Sequence, residues 1–276
     1  MVQYTMVNFG EVTSVGYREK IAACGAAERE NWQVFDCVDS TNLVCKRWAL
    51  EDVPDGAVAI AGEQTAGRGR LGRSFQSRPR VGLYLSILWR PKCDAATLMT
   101  VPALGAEAAV RVVEQVCGLR ADIKWPNDLV YGGRKLGGIL CESVVLGSET
   151  AVVLGIGINV SHREEDFDGE VRDMAASLEM VTGKPVSRSA LAAALMAQLD
   201  ILRSEALAQP TLWLGEYRRC CLTVGREVQI LRDGAARPAT ALDVDEGYGL
   251  RVRYADGEEA TVRAGEVSVR GLYGYV

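Results

Sequence analysis

Gly62-Glu63-Gln64-Thr65-Ala66-Gly67-Arg68-Gly69-Arg70-Leu71-Gly72-Arg73 is the stretch on which the fold turns. Taken mechanically, Gly67, Gly69 and Gly72 spell a dinucleotide-binding fingerprint. That pattern requires a helix directly after the loop and an acidic residue about 20 positions on, because the pyrophosphate rests on backbone amides at a helix N-terminus. Here the next apolar run, Gly82-Leu83-Tyr84-Leu85-Ser86-Ile87-Leu88-Trp89, reads as a strand, and three arginines are interleaved with the glycines. Glycine frees the backbone, and guanidinium groups hold phosphate or carboxylate bidentately. The stretch therefore predicts a jointed cationic flap that closes over an anion. The competing reading is a solvated basic loop without a ligand; three arginines directly beyond a strand end favour the site.

Working outward, a strand at Ala57 to Gly62 feeds the flap. Before it, Asp39-Ser40-Thr41-Asn42 offers Ser40 or Thr41 as the cap of a helix running through Trp48. Beyond it, Leu98 to Val116 has apolar residues at helical spacing, with Pro102 expected in the first turn. Val152 to Ile158 reads as a strand, and Ser187 to Ala208 as a helix capped by Ser187. After Arg219 the texture changes to short strands at Glu227 to Leu231, Thr240 to Val244, Leu250 to Tyr254 and Thr261-Val262. Asp233-Gly234, Glu246-Gly247 and Asp256-Gly257 punctuate them, which predicts a small all-β barrel beginning near Cys221. The expected organisation is an N-terminal extension (1–31), a catalytic unit (32–220) and a C-terminal barrel (221–276).

Lys124-Trp125-Pro126-Asn127-Asp128-Leu129-Val130-Tyr131-Gly132-Gly133-Arg134-Lys135-Leu136-Gly137-Gly138-Ile139 places a Gly-Gly step between two apolar arms, a two-residue hairpin pattern. Regular pairing sets Tyr131 opposite Arg134, Val130 opposite Lys135 and Asp128 opposite Gly137. Asp128, Val130 and Lys135 then share a face, with acid and ammonium in reach of one ligand. Gly137-Gly138 leaves that face open for another molecule. A weak, exposed surface ion pair is the alternative.

The 276 residues, 48% of them hydrophobic, allow one large core and a small second one. No uninterrupted apolar run approaches the ~20 residues that span a bilayer, and the N-terminus lacks a basic-then-apolar leader, so a soluble, cytoplasmic protein is expected. The eight cysteines are scattered apart from Cys220-Cys221. They read as reduced and mostly buried thiols, with no metal or redox spacing. The single histidine, His162, lies in a polar stretch and reads as a surface residue. A formal charge of −5 disfavours an extended nucleic-acid-binding face and permits a local basic pocket.

Together, Asp39-Ser40-Thr41-Asn42, Gln64 with Gly67 to Arg73, Lys124 to Asp128, Arg134 to Ile139 and Gly155-Ile156-Gly157-Ile158-Asn159-Val160 resemble the biotin protein ligase family, in that family's order. Gly265-Glu266-Val267-Ser268-Val269-Arg270 also looks like its C-terminal barrel. The resemblance implies an α+β fold: a central mixed β-sheet flanked by helices, of the class II aminoacyl-tRNA-synthetase-like biotin/lipoate ligase type, plus an SH3-like barrel. It implies biotin binding by Ser40, Thr41, Asn42, Gln64, Arg68, Gly69, Arg70, Lys135 and Gly138. It implies ATP or adenylate binding by Arg68, Arg70, Arg73, Trp125, Asn127, Lys135 and Asn159, with Mg²⁺ accompanying ATP and no resident metal on the protein. Lys135 and Arg70 would be catalytic, and the hairpin geometry adds Asp128 as the group that accepts or positions a proton. The implied partner is the biotin carboxyl carrier domain of a carboxylase; homodimerisation is compatible with the sequence.

Two departures from the family pattern stand out. Ser74-Phe75 occupies the place where the family usually has a tryptophan, and residues 1–31 are too few for the DNA-binding domain of its bifunctional members. The alternatives are a lipoate-type protein ligase, whose arginine-triple-glycine stretch ahead of a His-Asp pair is not found here, and a biotin-binding regulator without turnover.

Overall fold

The computed structural model describes residues 15–147, 149–232, 235–263 and 268–271. Met1 to Ser14, the Asp233-Gly234 turn and Gly265 to Val267 lie outside the described residues. Helix α1 (Val15–Ile21) precedes a seven-stranded sheet made of β1 (Trp32–Val38), β2 (Val58–Gln64), β3 (Gly82–Trp89), β4 (Asp122–Lys124), β5 (Asp128–Tyr131), β6 (Arg134–Leu146) and β7 (Glu149–Asn159). The strand order is β1-β2-β3-β7-β6-β5-β4. Only β1 and β2 pair in parallel, so the sheet is mixed as expected.

Period-two alternation along the central strands decides where the site goes. On β3, Leu83, Leu85, Ile87 and Trp89 join the main core, as do Val152, Leu154, Ile156 and Ile158 of β7. That core also holds α3 (Ala95–Cys117) and α6 (Arg188–Ile201). The opposite parity places Leu88, Ala151 and Val153 with Val44, Cys45 and Trp48 of α2 (Thr41–Leu50). Further along the same parity stand Tyr84, Gly155 and Gly157, which border a cavity at the start of α2.

Pro102 lies eight residues into α3, well past the first turn, because the helix is capped early by Asp94, whose side chain accepts from the Thr97 amide at 2.8 Å. The helix is long and apolar enough to cross a membrane, but most of it is buried inside the protein, as a core helix is. Ser187 caps α6 as expected, accepting from the Ala190 amide. Between these, α4 (Val171–Met174) and α5 (Leu178–Thr182) are short.

After α7 (Leu214–Cys220) a second sheet follows: β8 (Glu227–Arg232), β9 (Ala235–Val244), β10 (Leu250–Tyr254), β11 (Glu259–Val262) and β12 (Ser268–Gly271), in the antiparallel order β11-β10-β9-β8-β12. This agrees with an SH3-like unit. It does not have the separate small core the length suggested. Val228, Ile230, Ala241, Leu250 and Val252 are continuous with the main core. The seam is polar-assisted: Trp125 donates its indole N–H to the Tyr248 carbonyl (2.9 Å), the Trp125 amide donates to Thr223 Oγ1 (2.9 Å) and the Tyr217 hydroxyl donates to the Pro126 carbonyl (2.8 Å).

Two further expectations are corrected. His162 is buried at 1% exposure, its ring stacked on Phe167 with centroids 5.1 Å apart; an aromatic neighbour five positions away is invisible to a polarity reading. The cysteines are free thiols, but only Cys45, Cys220 and Cys221 are buried, and Cys24 and Cys37 are exposed.

Candidate active site

At the N-terminus of α2 the chain leaves β1 through Asp39, which accepts from Arg47 at 2.8 Å. Ser40 occupies the cap position but its side chain makes no cap hydrogen bond. Gln64 takes over that role. Parallel pairing sets Gln64 beside Val38, and its Oε1 accepts from the Thr41 amide (2.8 Å) and hydroxyl (3.1 Å). The Gln64 amide donates onward to Ser77 Oγ at 2.8 Å. Below, the Ser86 hydroxyl lies 2.7 Å from Thr41 Oγ1 and 2.6 Å from Asn42 Oδ1. Thr41, Asn42 and Gln64 thus form one ordered hydrogen-bonding floor.

The arginine flap folds on itself. Arg68 and Ser74 form a β-bridge, the Gly69 amide donates to the Arg73 carbonyl (2.7 Å), and the Phe75 amide to the Gly67 carbonyl (2.9 Å). Leu71, with φ of 55°, carries the exposed tip. Glycine is required at position 67, where a Cβ would stand 2.3 Å from the Phe75 carbonyl oxygen. No helix follows the flap before β3 beyond the single turn at Arg70–Gly72, which removes the dinucleotide reading. Arg70 donates to Asn127 Oδ1 at 2.9 Å and Asn127 in turn to the Ile139 carbonyl. Burial lowers the Arg70 guanidinium pKa from its ordinary value, a push that nearby Asp128 opposes.

The Gly132-Gly133 hairpin forms with positive φ at both residues, as a tight right-twisted turn demands. Its register departs from the regular pairing. Val130 faces Lys135, but Leu129 faces Gly137 and Asp128 faces Gly138, because Leu136 is bulged and buried. Lys135 Nζ donates to Asp128 Oδ1 at 2.7 Å, with 28% and 22% of the two side chains exposed. This is a half-buried pair, not the exposed one of the alternative reading.

Ser40, Thr41, Asn42, Gln64, Arg68, Gly69, Arg70, Arg73, Trp125, Asn127, Asp128, Lys135 and Gly138 all line one cavity of ≈ 730 Å³. Asn159 does not line it. Its side-chain amide donates to the Ala176 carbonyl (3.1 Å) and bridges to the Lys135 carbonyl (3.4 Å), so it braces the wall from behind. Sequence reasoning missed Tyr84, Gly155, Gly157, Glu170, Met174 and Val269 among the lining residues. The parity of β3 and β7 could have found the first three. Phe75, in the tryptophan's place, packs over Gly157, where a Cβ would come 2.7 Å from its ring.

The model of the biotin/lipoate A/B protein ligase family matches residues 34–159. A biotin–acetyl-CoA-carboxylase ligase of Mycobacterium tuberculosis is 30% identical over 268 residues, covering 91% of this chain and 92% of that protein. The chain belongs to the biotin/lipoate A/B protein ligase family. The bifunctional ligase/repressor BirA of Bacillus subtilis is 36% identical over 155 residues, 56% of this chain and 48% of that protein, so the match spans about half of that relative's length. Among solved structures, a biotin protein ligase from Aquifex aeolicus in complex with biotin and ATP superposes with a TM-score of 0.73 at 28% identity, covering 88% of this chain and all of that one. Family and fold therefore agree with what the motif set implied.

Proposed function

We propose that this chain is an ATP-dependent ligase that forms biotinyl-5′-AMP and passes biotin to a lysine of a biotin carboxyl carrier domain. The observation that carries the reading is the meeting, in one cavity, of a neutral hydrogen-bonding floor (Thr41, Asn42, Gln64) with cations from separate elements, Arg68 and Arg70 on the flap and Lys135 on the hairpin. A ureido ring needs neutral donors and acceptors. A carboxylate attacking an α-phosphate needs positive charge, since two anions repel unless cations offset them. In this reading residues 32–220 are the catalytic unit and 221–276 a companion unit that brings Val269 to the cavity.

Lys135 would bridge the biotin carboxylate and the α-phosphate, with Arg70 on the developing phosphate charge, where preorganised donors count for most. Magnesium enters with ATP. Among the described residues no three carboxylate, cysteine or histidine groups come together to hold a metal, so phosphate oxygens and water would supply most of the usual magnesium shell. The mixed anhydride product hydrolyses readily, so the flap would exclude water until the acceptor arrives. Asp128 would then accept or position the proton of the incoming amine. The test is isotopic pyrophosphate exchange with ATP and Mg²⁺, biotin and lipoate compared. Exchange with biotin and not with lipoate is expected; exchange with lipoate alone, or binding of biotin without exchange, overturns the reading.

A further inference from the structure

Glu142 has no part in this scheme, yet it touches both the floor, through Asn42, and the flap, through Arg68. It lies on β6 at the same parity as Gly138 and Leu140, both of which border the cavity. Its two oxygens have separate tasks. Oε1 accepts from Lys46 Nζ (2.7 Å) and from Arg68 (3.1 Å), while Oε2 accepts from the Asn42 side-chain amide (2.9 Å). The Asn42 amide makes a second approach to the Leu140 carbonyl (3.4 Å), and its Oδ1 takes the Ser86 contact. Asn42 therefore has one favourable orientation, because flipping it would set oxygen against carboxylate.

We propose that Glu142 is a positioning residue that couples the cavity floor to the arginine flap, fixing the Asn42 amide and holding Arg68 docked until a substrate anion takes the guanidinium. The inference rests on the ligase reading for the identity of that anion. Lys46 is what makes release inexpensive. A carboxylate with only 15% of its side chain exposed is costly to leave without a cation, but with Lys46 remaining in place the departure of Arg68 leaves Glu142 paired. The cations and the Asn42 amide also outweigh the upward push of burial and hold the Glu142 carboxyl below its ordinary value. Arg68 itself is 45% exposed and so free to swing.

The test uses the full chain as Glu142→Gln, Glu142→Asp and Lys46→Met, read in two ways. Hydrogen exchange without ligand follows the flap amides of Gly69, Arg73 and Phe75, which are hydrogen-bonded within the loop. Pyrophosphate exchange gives KM for biotin and kcat separately. For Glu142→Gln we expect faster flap exchange and a biotin KM raised roughly tenfold with a smaller change in kcat, the loss of about one charge-assisted hydrogen bond. Glu142→Asp should recover part of both, and Lys46→Met should keep the flap protected. Wild-type flap exchange and KM in both Glu142 variants, or a loss of flap protection in Lys46→Met equal to that in Glu142→Gln, overturns the coupling. A freed flap in Glu142→Gln, in a protein whose wild type shows no biotin-dependent exchange, supports the coupling while sinking the ligase reading.

Discussion

Lys135 Nζ and Asp128 Oδ1 are joined at 2.7 Å across the bulge at Leu136, directly over Gly138, where a Cβ would stand 3.1 Å from each of them. The hairpin thus presents an ammonium with its counter-ion already in place above an open patch of backbone. Replacing Lys135 with Ala should slow adenylation by about 3 kcal/mol in the barrier, on the order of a hundredfold. Pyrophosphate exchange at saturating substrates measures it, and near-normal exchange would remove Lys135 from the catalytic set.

Asp128→Asn separates the two half-reactions. Asparagine keeps an oxygen for Lys135 but cannot take up a proton from the acceptor amine. Transfer from preformed adenylate should therefore fall about tenfold or more beyond any loss in exchange, in keeping with the usual contribution of general-base catalysis. Equal losses in the two assays would reduce Asp128 to a partner of Lys135.

Much of this was legible in the sequence because its signals are local. The Gly-Gly turn, the alternating arms and the glycine-jointed arginines each need only neighbours within a dozen residues, and all assembled around one cavity. What escaped depends on partners far along the chain. The Leu136 bulge shifted Asp128 from Gly137 to Gly138 because burying Leu136 outweighs regular pairing. Gln64 displaced Ser40 as the cap of α2 from 23 positions away. Asn159 turned to the wall, where Ala176 accepts its amide. Glu142 acquired its meaning only when β6 brought it to Asn42 and Lys46.

Gly155 tests the floor. A Cβ there would stand 1.9 Å from Asn42 Oδ1 and 3.1 Å from the Ser86 hydroxyl. Gly155→Ala must push the Asn42 amide out of its hydrogen bonds, an overpacking that costs about 1–3 kcal/mol. Biotin affinity measured by calorimetry should weaken about tenfold or more, while ATP affinity changes little. Unaltered biotin binding in a folded Gly155→Ala protein would show that the floor does not contact the vitamin.

His162 gives a prediction about pH that is independent of activity. Burial lowers its pKa to about 4, with Arg78 adding to the effect and Asp166 and the Val81 backbone opposing it. Above about pH 6.5 native and unfolded chains both carry a neutral imidazole, so its contribution to stability is constant. As the pH falls from about 6.5 towards 4, the unfolded chain takes up a proton that the native chain refuses, and stability should drop by about 3 kcal/mol in all. Below that range both states are charged and the slope from this group ends. Urea unfolding of wild type and His162→Phe at pH 7, 6, 5 and 4.5 checks it, phenylalanine retaining the stack on Phe167 while removing the titration. The wild type should lose stability more steeply than the variant across this window, and coincident slopes would mean that the imidazole is protonated in place in the native protein.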